Sequence, residues 1–359
     1  MSYLNNVISN AKGNAMPADK AVKILPYVGD GTNRVLRLRG RLLEKVRTRP
    51  AREDDSRWRN LRNIYHRFTA MTVPHAALIA RYHDHQRVIH TDSAGYFIVQ
   101  FDLDTPPPSQ RIWHNIHLSY DDGDRQAQAV GKVITPTENA QFGVITDLDD
   151  TVWRTDVTNI ARMLWNTFTK NPHTRSPFHG VAEFYRALQA GSTQQVFNPI
   201  YYVSNSPYSL YDLVEEFLRL RNIPLGPIYL RPVGISTELL HSTDHKFNTI
   251  DRLMTLHRDL DFILIGDSGE HDAEIYLKVV QAHPNRIKAI YIRDVNPFKK
   301  NTRRDRRVAS VAQQAQDCGC DLRLIPDTRA AAIHAAEQGY IHPDALDAVL
   351  ADVAKDASM

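Results

Sequence analysis

Two cysteines, Cys318 and Cys320, are all that 359 residues contain. A disulfide framework is therefore excluded, and a reducing, cytoplasmic setting fits. The pair also lacks the second cysteine pair that a zinc site needs, and His83 and His85, expected on one strand face, lack further ligands. No apolar run approaches the ~20 residues that span a bilayer, so any membrane role is expected to be peripheral. The opening stretch MSYLNNVISNAKGNAMPADK lacks the apolar core of a secretory signal. A marked excess of one sign of charge is lacking too: 44 basic against 41 acidic residues leave +3. That balance is too mild to point to nucleic acid. No GxxxxGK[ST] phosphate loop, internal repeat or low-complexity tract occurs.

What is present reads as three parts. Residues 1–20 form a polar tail. Residues 21–136 carry short alternating segments such as Val35–Gly40, Ala77–Tyr82, Arg87–Thr91, Tyr96–Leu103 and Trp113–Tyr120, separated by turn residues. They predict a β-sandwich with one helical insertion over Glu53–Phe68. Val28–Gly31 reads as a turn. After Pro136 the pattern changes. Apolar runs ending near Thr146, Ser204, Leu230, Ile265 and Ile292 alternate with helical stretches at Gly180–Ala190, Leu210–Arg221, Phe247–His257 and Ala273–Ala282. That alternation predicts an α/β domain over 137–359, a doubly wound parallel sheet with a helical C-terminal extension.

The stretch Phe142–Asp156, FGVITDLDDTVWRTD, organises this second domain. A buried apolar strand discharges into Asp147, Asp149 and Asp150, followed by Thr151. At an effective dielectric near a protein surface, two like charges ~4 Å apart repel by roughly 4 kcal/mol, so a cation or a proton must offset such a cluster. Carboxylates at the carboxyl end of a parallel strand suit Mg²⁺. The bland alternative is a solvated acidic turn capping a helix. Other strand ends add to the pattern: Ser204 and Asn205 in YYVSNSPYSLYDL, Lys246 just before a helix in HSTDHKFNTID, and Asp267 and Asp272 in GDSGEHD. Singly, Ser204 and Asp267 read as helix caps and Lys246 as a solvated lysine. Together, acids, a hydroxyl and a lysine at successive strand ends point to phosphoryl transfer, which needs positioning and charge stabilisation.

Five segments carry a resemblance: FGVITDLDDTVWRTDVT, TRSPFHGVAEFYRAL, the run from YYVSNS to PIYLR, HKFNTIDRL, and the run from FILIGDSGEHD to YIRDV. Together they resemble the catalytic domain of the actin-patch phosphatidate phosphatase family, within the haloacid-dehalogenase-like (HAD-like) superfamily. The N-terminal β-rich part is similar to that of bacterial relatives. The resemblance implies a HAD-like Rossmannoid fold with a small cap, and Mg²⁺-dependent hydrolysis of phosphatidate to diacylglycerol. It implies Asp147 as nucleophile and Asp149 as general acid, then general base. Ser204 and Lys246 would hold the phosphoryl group, with Thr151 and Asn205 beside it. Asp147, Asp267, Asp272 and the backbone carbonyl of Asp149 would hold the metal. The residues themselves give Asp150 no role.

Residues Asn159–Ser176 have a helical apolar face and occupy the place of the superfamily's cap. The segment is short, so an open site is expected, suited to a bulky substrate such as a phospholipid at a membrane surface. Other phosphoesters fit the same chemistry: a phosphoprotein, an inositol phosphate or a nucleic-acid end. A non-catalytic lipid or protein adaptor retaining the fold is the alternative class, and it would have no need of Asp149. Basic clusters at Arg34–Arg59 and Lys299–Arg307 read either as solvated faces or as contacts to an anionic leaflet.

Overall fold

The computed structural model describes residues 21–44, 71–106, 111–148, 180–231, 242–295, 297–298 and 302–358. The expected helices at Glu53–Phe68 and Asn159–Ser176 lie outside the described residues, as do Asp149, Asp150 and Thr151.

Strands β1 (Val22–Pro26), β2 (Gly29–Gly31), β3 (Val35–Glu44), β4 (Ala77–Tyr82), β5 (His85–His90), β6 (Tyr96–Asp102), β7 (Trp113–Asp121) and β8 (Gln126–Ile134) join in one sheet. All its ladders are antiparallel except β2 with β8. Alternation decides which face is buried. Leu36, Leu38 and Leu42 of β3 enter the same apolar cluster as Leu78, Phe97, Val99, Phe101, Ile116 and Leu118. Arg37, Arg39 and Arg41 of β3, at the intervening positions, lie outside that cluster. The stretch read as a turn at Val28–Gly31 is instead strand β2, because its backbone pairs with both β3 and β8. His83 and His85 do not share a strand face: His83 sits in the β4–β5 hairpin turn at φ 47° and His85 starts β5.

The second sheet is wholly parallel. Its strands are β9 (Gly143–Asp147), β10 (Ile200–Pro207), β11 (Ile228–Arg231), β12 (Phe262–Asp267), β13 (Ile287–Arg293) and β14 (Leu322–Ile325), in the order β11-β10-β9-β12-β13-β14. Between them run α1 (Val181–Ala190), a 3₁₀ turn (Tyr208–Leu210), α2 (Tyr211–Leu220), α3 (Ser242–Leu256), α4 (Asp272–Ala282) and α5 (Arg303–Asp317), and after β14 come α6 (Thr328–Glu337) and α7 (Pro343–Ser358). Both faces of the sheet are covered. Val144, Tyr202, Ile263 and Tyr291 pack with Phe184 and Leu188 of α1, Ala332 of α6 and Val349 of α7. Their neighbours Ile145, Tyr201, Leu264 and Ile290 pack on the other side with Leu253 of α3, Val279 of α4 and Val308 of α5. Burial on both faces is why these strands are apolar throughout rather than alternating. Each such aliphatic side chain contributes about 1.5–3 kcal/mol when fully buried.

The two sheets meet beside β10. Tyr27 stacks on Tyr211 with ring centroids 3.7 Å apart, the Val28 amide donates to the Tyr211 hydroxyl at 2.7 Å, and Arg39 Nη1 donates to the Tyr208 hydroxyl at 3.1 Å. Among the described residues, no helix is long and apolar enough to cross a membrane.

Candidate active site

The strand order creates the site. The chain moves from β9 outward through β10 and β11, then returns to the other side of β9 to begin β12. The crevice outside the carboxyl ends of β9 and β12 is where open α/β sheets bind ligands. Register places the acids there. Asp147 pairs with Val203 on one side, and on the other Thr146 pairs with Ile265, so Asp147 ends level with Val203 and Gly266, one residue short of Ser204 and Asp267. Asp147 and Asp267 line one cavity, together with Arg293.

Lys246 is the electrostatic centre. Its side chain is 2% exposed, and Nζ lies 2.9 Å from Asp147 Oδ2, 2.9 Å from Glu270 Oε2 and 2.9 Å from Asp272 Oδ1. The three carboxylates offer oxygens within 4.8 Å of one another. Lys246 lies inside α3 rather than before it, because the helix begins at Ser242. The Ser-Thr-Asp sequence there favours a helix start, a signal that places the end four residues before the lysine.

The three aspartates are held by backbone. Asp147 Oδ1 accepts from the Leu148 amide at 2.8 Å. Asp272, fully buried at the start of α4, accepts from the Asp267 amide at 3.1 Å through Oδ2. It lies so close to β12 that a Cβ on Gly266 would fall 2.5 Å from its Oδ2, so position 266 has no room for a side chain. Asp267 Oδ1 accepts from the amides of Gly269 and Glu270, which shapes the loop carrying Glu270. Burial, and then the neighbouring Asp272 carboxylate, push the Asp267 carboxyl above its ordinary range; the Gly269 and Glu270 amides and Arg293 oppose this. Three carboxylates thus surround one lysine, with Asp267 and Arg293 on the adjoining cavity wall. That donor set, hard oxygens and excess negative charge, fits a divalent cation.

The sequence-expected residues divide cleanly. Asp147, Lys246, Asp267 and Asp272 converge. Ser204 is buried one residue beyond the partner of Asp147, but its Oγ accepts from the Ser206 amide at 3.0 Å within β10. Asn205 is buried next to it. Asp149 and Thr151 lie outside the described residues. Glu270 was not among the expected ligands, although its place three residues after Asp267 in GDSGEHD is a usable signal. Arg307 was read only as part of a basic cluster. It reaches from α5 to the same loop, donating through Nη2 to the carbonyls of Ser268 at 3.1 Å and Glu270 at 2.6 Å, with Nε 3.1 Å from Glu274. On the other face, the Thr146 and Tyr185 hydroxyls share a buried hydrogen bond of 2.6 Å. His245, next to Lys246, is driven down to about 4 by burial and by the charges of Arg231 and Arg252.

Residues 142–294 match the family model described as the catalytic domain of phosphatidate phosphatase APP1. The phosphatidate phosphatase APP1 of Saccharomyces cerevisiae is 30% identical over 208 residues, 56% of this chain and 34% of that protein. An uncharacterized protein of Schizosaccharomyces pombe is 26% identical over 235 residues, 63% of this chain and 38% of that protein. The chain thus spans little more than a third of the length of the curated relatives it matches. Among solved structures, a carbohydrate acetylesterase from Xanthomonas citri aligns with 80% of this chain and 72% of its own at 10% identity. Its TM-score of 0.25 is too low to carry an argument. Arg307 lies beyond the matched segment.

Proposed function

We propose that this chain, whose residues 142–294 match the model of the phosphatidate phosphatase APP1 catalytic domain, is a member of that family and a phosphoric monoester hydrolase acting on phosphatidate. The observation that carries the reading is the contact of Lys246 with Asp147, Glu270 and Asp272 at 2.9 Å each, at the carboxyl ends of β9 and β12. The strand order and the helices on both faces support a HAD-like doubly wound fold, and the first sheet is read as its β-sandwich partner. A cytoplasmic protein working peripherally at a membrane is consistent with the absence of a spanning helix among the described residues.

In this reading Asp147 is the nucleophile. Leu148 holds Oδ1 and Lys246 faces Oδ2, so the carboxylate is oriented before substrate arrives. Its oxygen attacks phosphorus, the bond to the ester oxygen breaks, and Asp149 gives the departing alkoxide a proton. Asp149 then takes a proton from water, which attacks the aspartyl-phosphate, breaks the Asp147–phosphorus bond and releases phosphate. Lys246 offsets charge on the transferred group, with Ser204, Asn205 and Thr151 as further donors. Asp147, Asp267, Asp272 and Glu270, with the Asp149 carbonyl, are the residues that would hold Mg²⁺. When bound, the ion supplies charge stabilisation to the phosphoryl oxygens.

The test is phosphate release from phosphatidate in mixed micelles beside small sugar phosphates, with and without chelator. Chelator-sensitive release that prefers phosphatidate is expected. Preference for the sugar phosphates would overturn the substrate, and indifference to chelator the metal.

A further inference from the structure

A hollow lies in the N-terminal sheet, outside the segment matched to the catalytic family. Strands β4, β7 and β8 enclose this hollow of about 750 Å³, within the range of small-ligand sites. Its lining is cationic and polar: Arg81, His83, Arg111, Trp113, Asn115 and His117. Register explains the convergence. His117 pairs with Arg81 across β4 and β7 and with Val130 across β7 and β8, so all three share one face. Trp113 and Asn115 precede His117 at two-residue steps along β7 and share that face. The opposite face of the same strands is the sealed core, with Ile116 and Leu118 buried.

Two features set the hollow apart from an ordinary solvated sheet face. None of its described lining residues is a carboxylate, so the charges of Arg81 and Arg111 are not offset within it. Arg81 is also held in place: its Nε donates to Gln86 Oε1 at 2.8 Å, on the paired position of β5. A planar guanidinium fixed at one nitrogen presents its remaining donors in a set direction, the geometry that suits phosphate oxygens. Trp113, half-buried, offers an apolar wall, and Asn115 and the imidazoles of His83 and His117 add hydrogen-bonding groups.

We infer that this hollow binds an organic phosphate, its anionic phosphoryl oxygens between Arg81 and Arg111 and its organic portion against Trp113. The ligand chemistry is shared by a soluble phosphate ester and by a phospholipid headgroup presented at a membrane. The site stands on residues of the first sheet alone and does not depend on the catalytic reading.

The experiment uses the full chain carrying Asp147→Asn, so that the probes are not consumed. Glycerol 3-phosphate is titrated against tryptophan fluorescence. Sedimentation with phosphatidylcholine vesicles is measured with and without a minor fraction of phosphatidylglycerol. A saturable signal that disappears in Trp113→Phe and weakens roughly tenfold or more in Arg81→Gln/Arg111→Gln identifies a site for soluble phosphate esters. Sedimentation that requires phosphatidylglycerol and is lost in the double variant, without a soluble signal, identifies a headgroup site. Absence of both signals overturns the inference, as does binding that the double variant leaves unchanged. Both arginines are exposed, so the double variant is expected to melt with the parent. Placed in the chain with Asp147 intact, it is expected to keep phosphate release from a soluble ester, which separates failure of this site from failure of the catalytic one.

Discussion

Replacing Lys246 with methionine tests the electrostatic centre. The variant keeps the unbranched apolar stem of the side chain, one atom shorter, and removes its charge, leaving Asp147, Glu270 and Asp272 facing one another. Their oxygens lie within 4.8 Å. At that separation and an effective dielectric of about 20, each pair of unit charges repels by about 3.5 kcal/mol. The chain relieves part of this by binding a proton, so the full sum is not expressed. Removing one partner of a buried ion pair typically costs about 3–5 kcal/mol, and that loss is expected here in denaturant unfolding at neutral pH. The sign of the pH dependence follows. In Lys246→Met the folded-state carboxyls are raised above their unfolded values, so the folded form binds more protons, and stability recovers as pH falls toward 5. Millimolar Mg²⁺ is expected to recover part of the loss by replacing the missing positive charge. A variant within about 1 kcal/mol of the parent and indifferent to both pH and Mg²⁺ would refute the reasoning, because the three acids would then not be coupled through this lysine.

Three further outcomes follow from the same geometry. Arg307→Ala releases the Ser268 and Glu270 carbonyls, so kcat is expected to fall about tenfold or more with KM little changed; an unchanged kcat would make the contact merely structural. Asp267→Asn keeps an oxygen for the Gly269 and Glu270 amides and removes a carboxylate whose pKa burial and Asp272 raise. Its folded pKa lies above the unfolded value, so the carboxylate costs stability once pH rises through it. The variant is therefore expected to be more stable than the parent in chelator at neutral pH, while losing activity, and lower stability would contradict that sign. His257, buried and bonded to Tyr201 at 2.9 Å, is lowered from 6.5 to about 4. Protons bind the unfolded chain first, so about 3 kcal/mol of stability present above pH 6.5 is lost as pH falls toward 4. Urea midpoints across that interval measure it, and a flat profile would show that His257 charges without cost.

How much of this was legible in the sequence depends on the range of the cause. Strand β9 and its terminal Asp147 were readable because a parallel strand buried on both faces must be apolar until it ends. The recurrence of polar residues after each apolar run then located Ser204, Asp267 and Asp272. Lys246 is legible, but the apolar pattern starts its helix only at Phe247, since the polar Ser-Thr-Asp turn has no apolar periodicity to extend it. Strand β2 was missed for a similar reason: Gly-Asp-Gly carries turn chemistry, and only its pairing with β3 and β8 makes it a strand. Glu270 was visible as a motif letter but not as a partner of Lys246. Arg307 was not legible at all. In a run of six basic residues nothing local distinguishes the one whose guanidinium meets two carbonyls some forty positions upstream.

The central claim is that Asp147 forms the covalent link to phosphorus. Rapid quenching of the protein during turnover of phosphatidate, borohydride reduction and peptide mass analysis measure it most directly. Reduction of an aspartyl-phosphate at residue 147, absent in Asp147→Asn, is the result the account predicts. Steady phosphate release by Asp147→Asn, or a label carried by another residue, would contradict it.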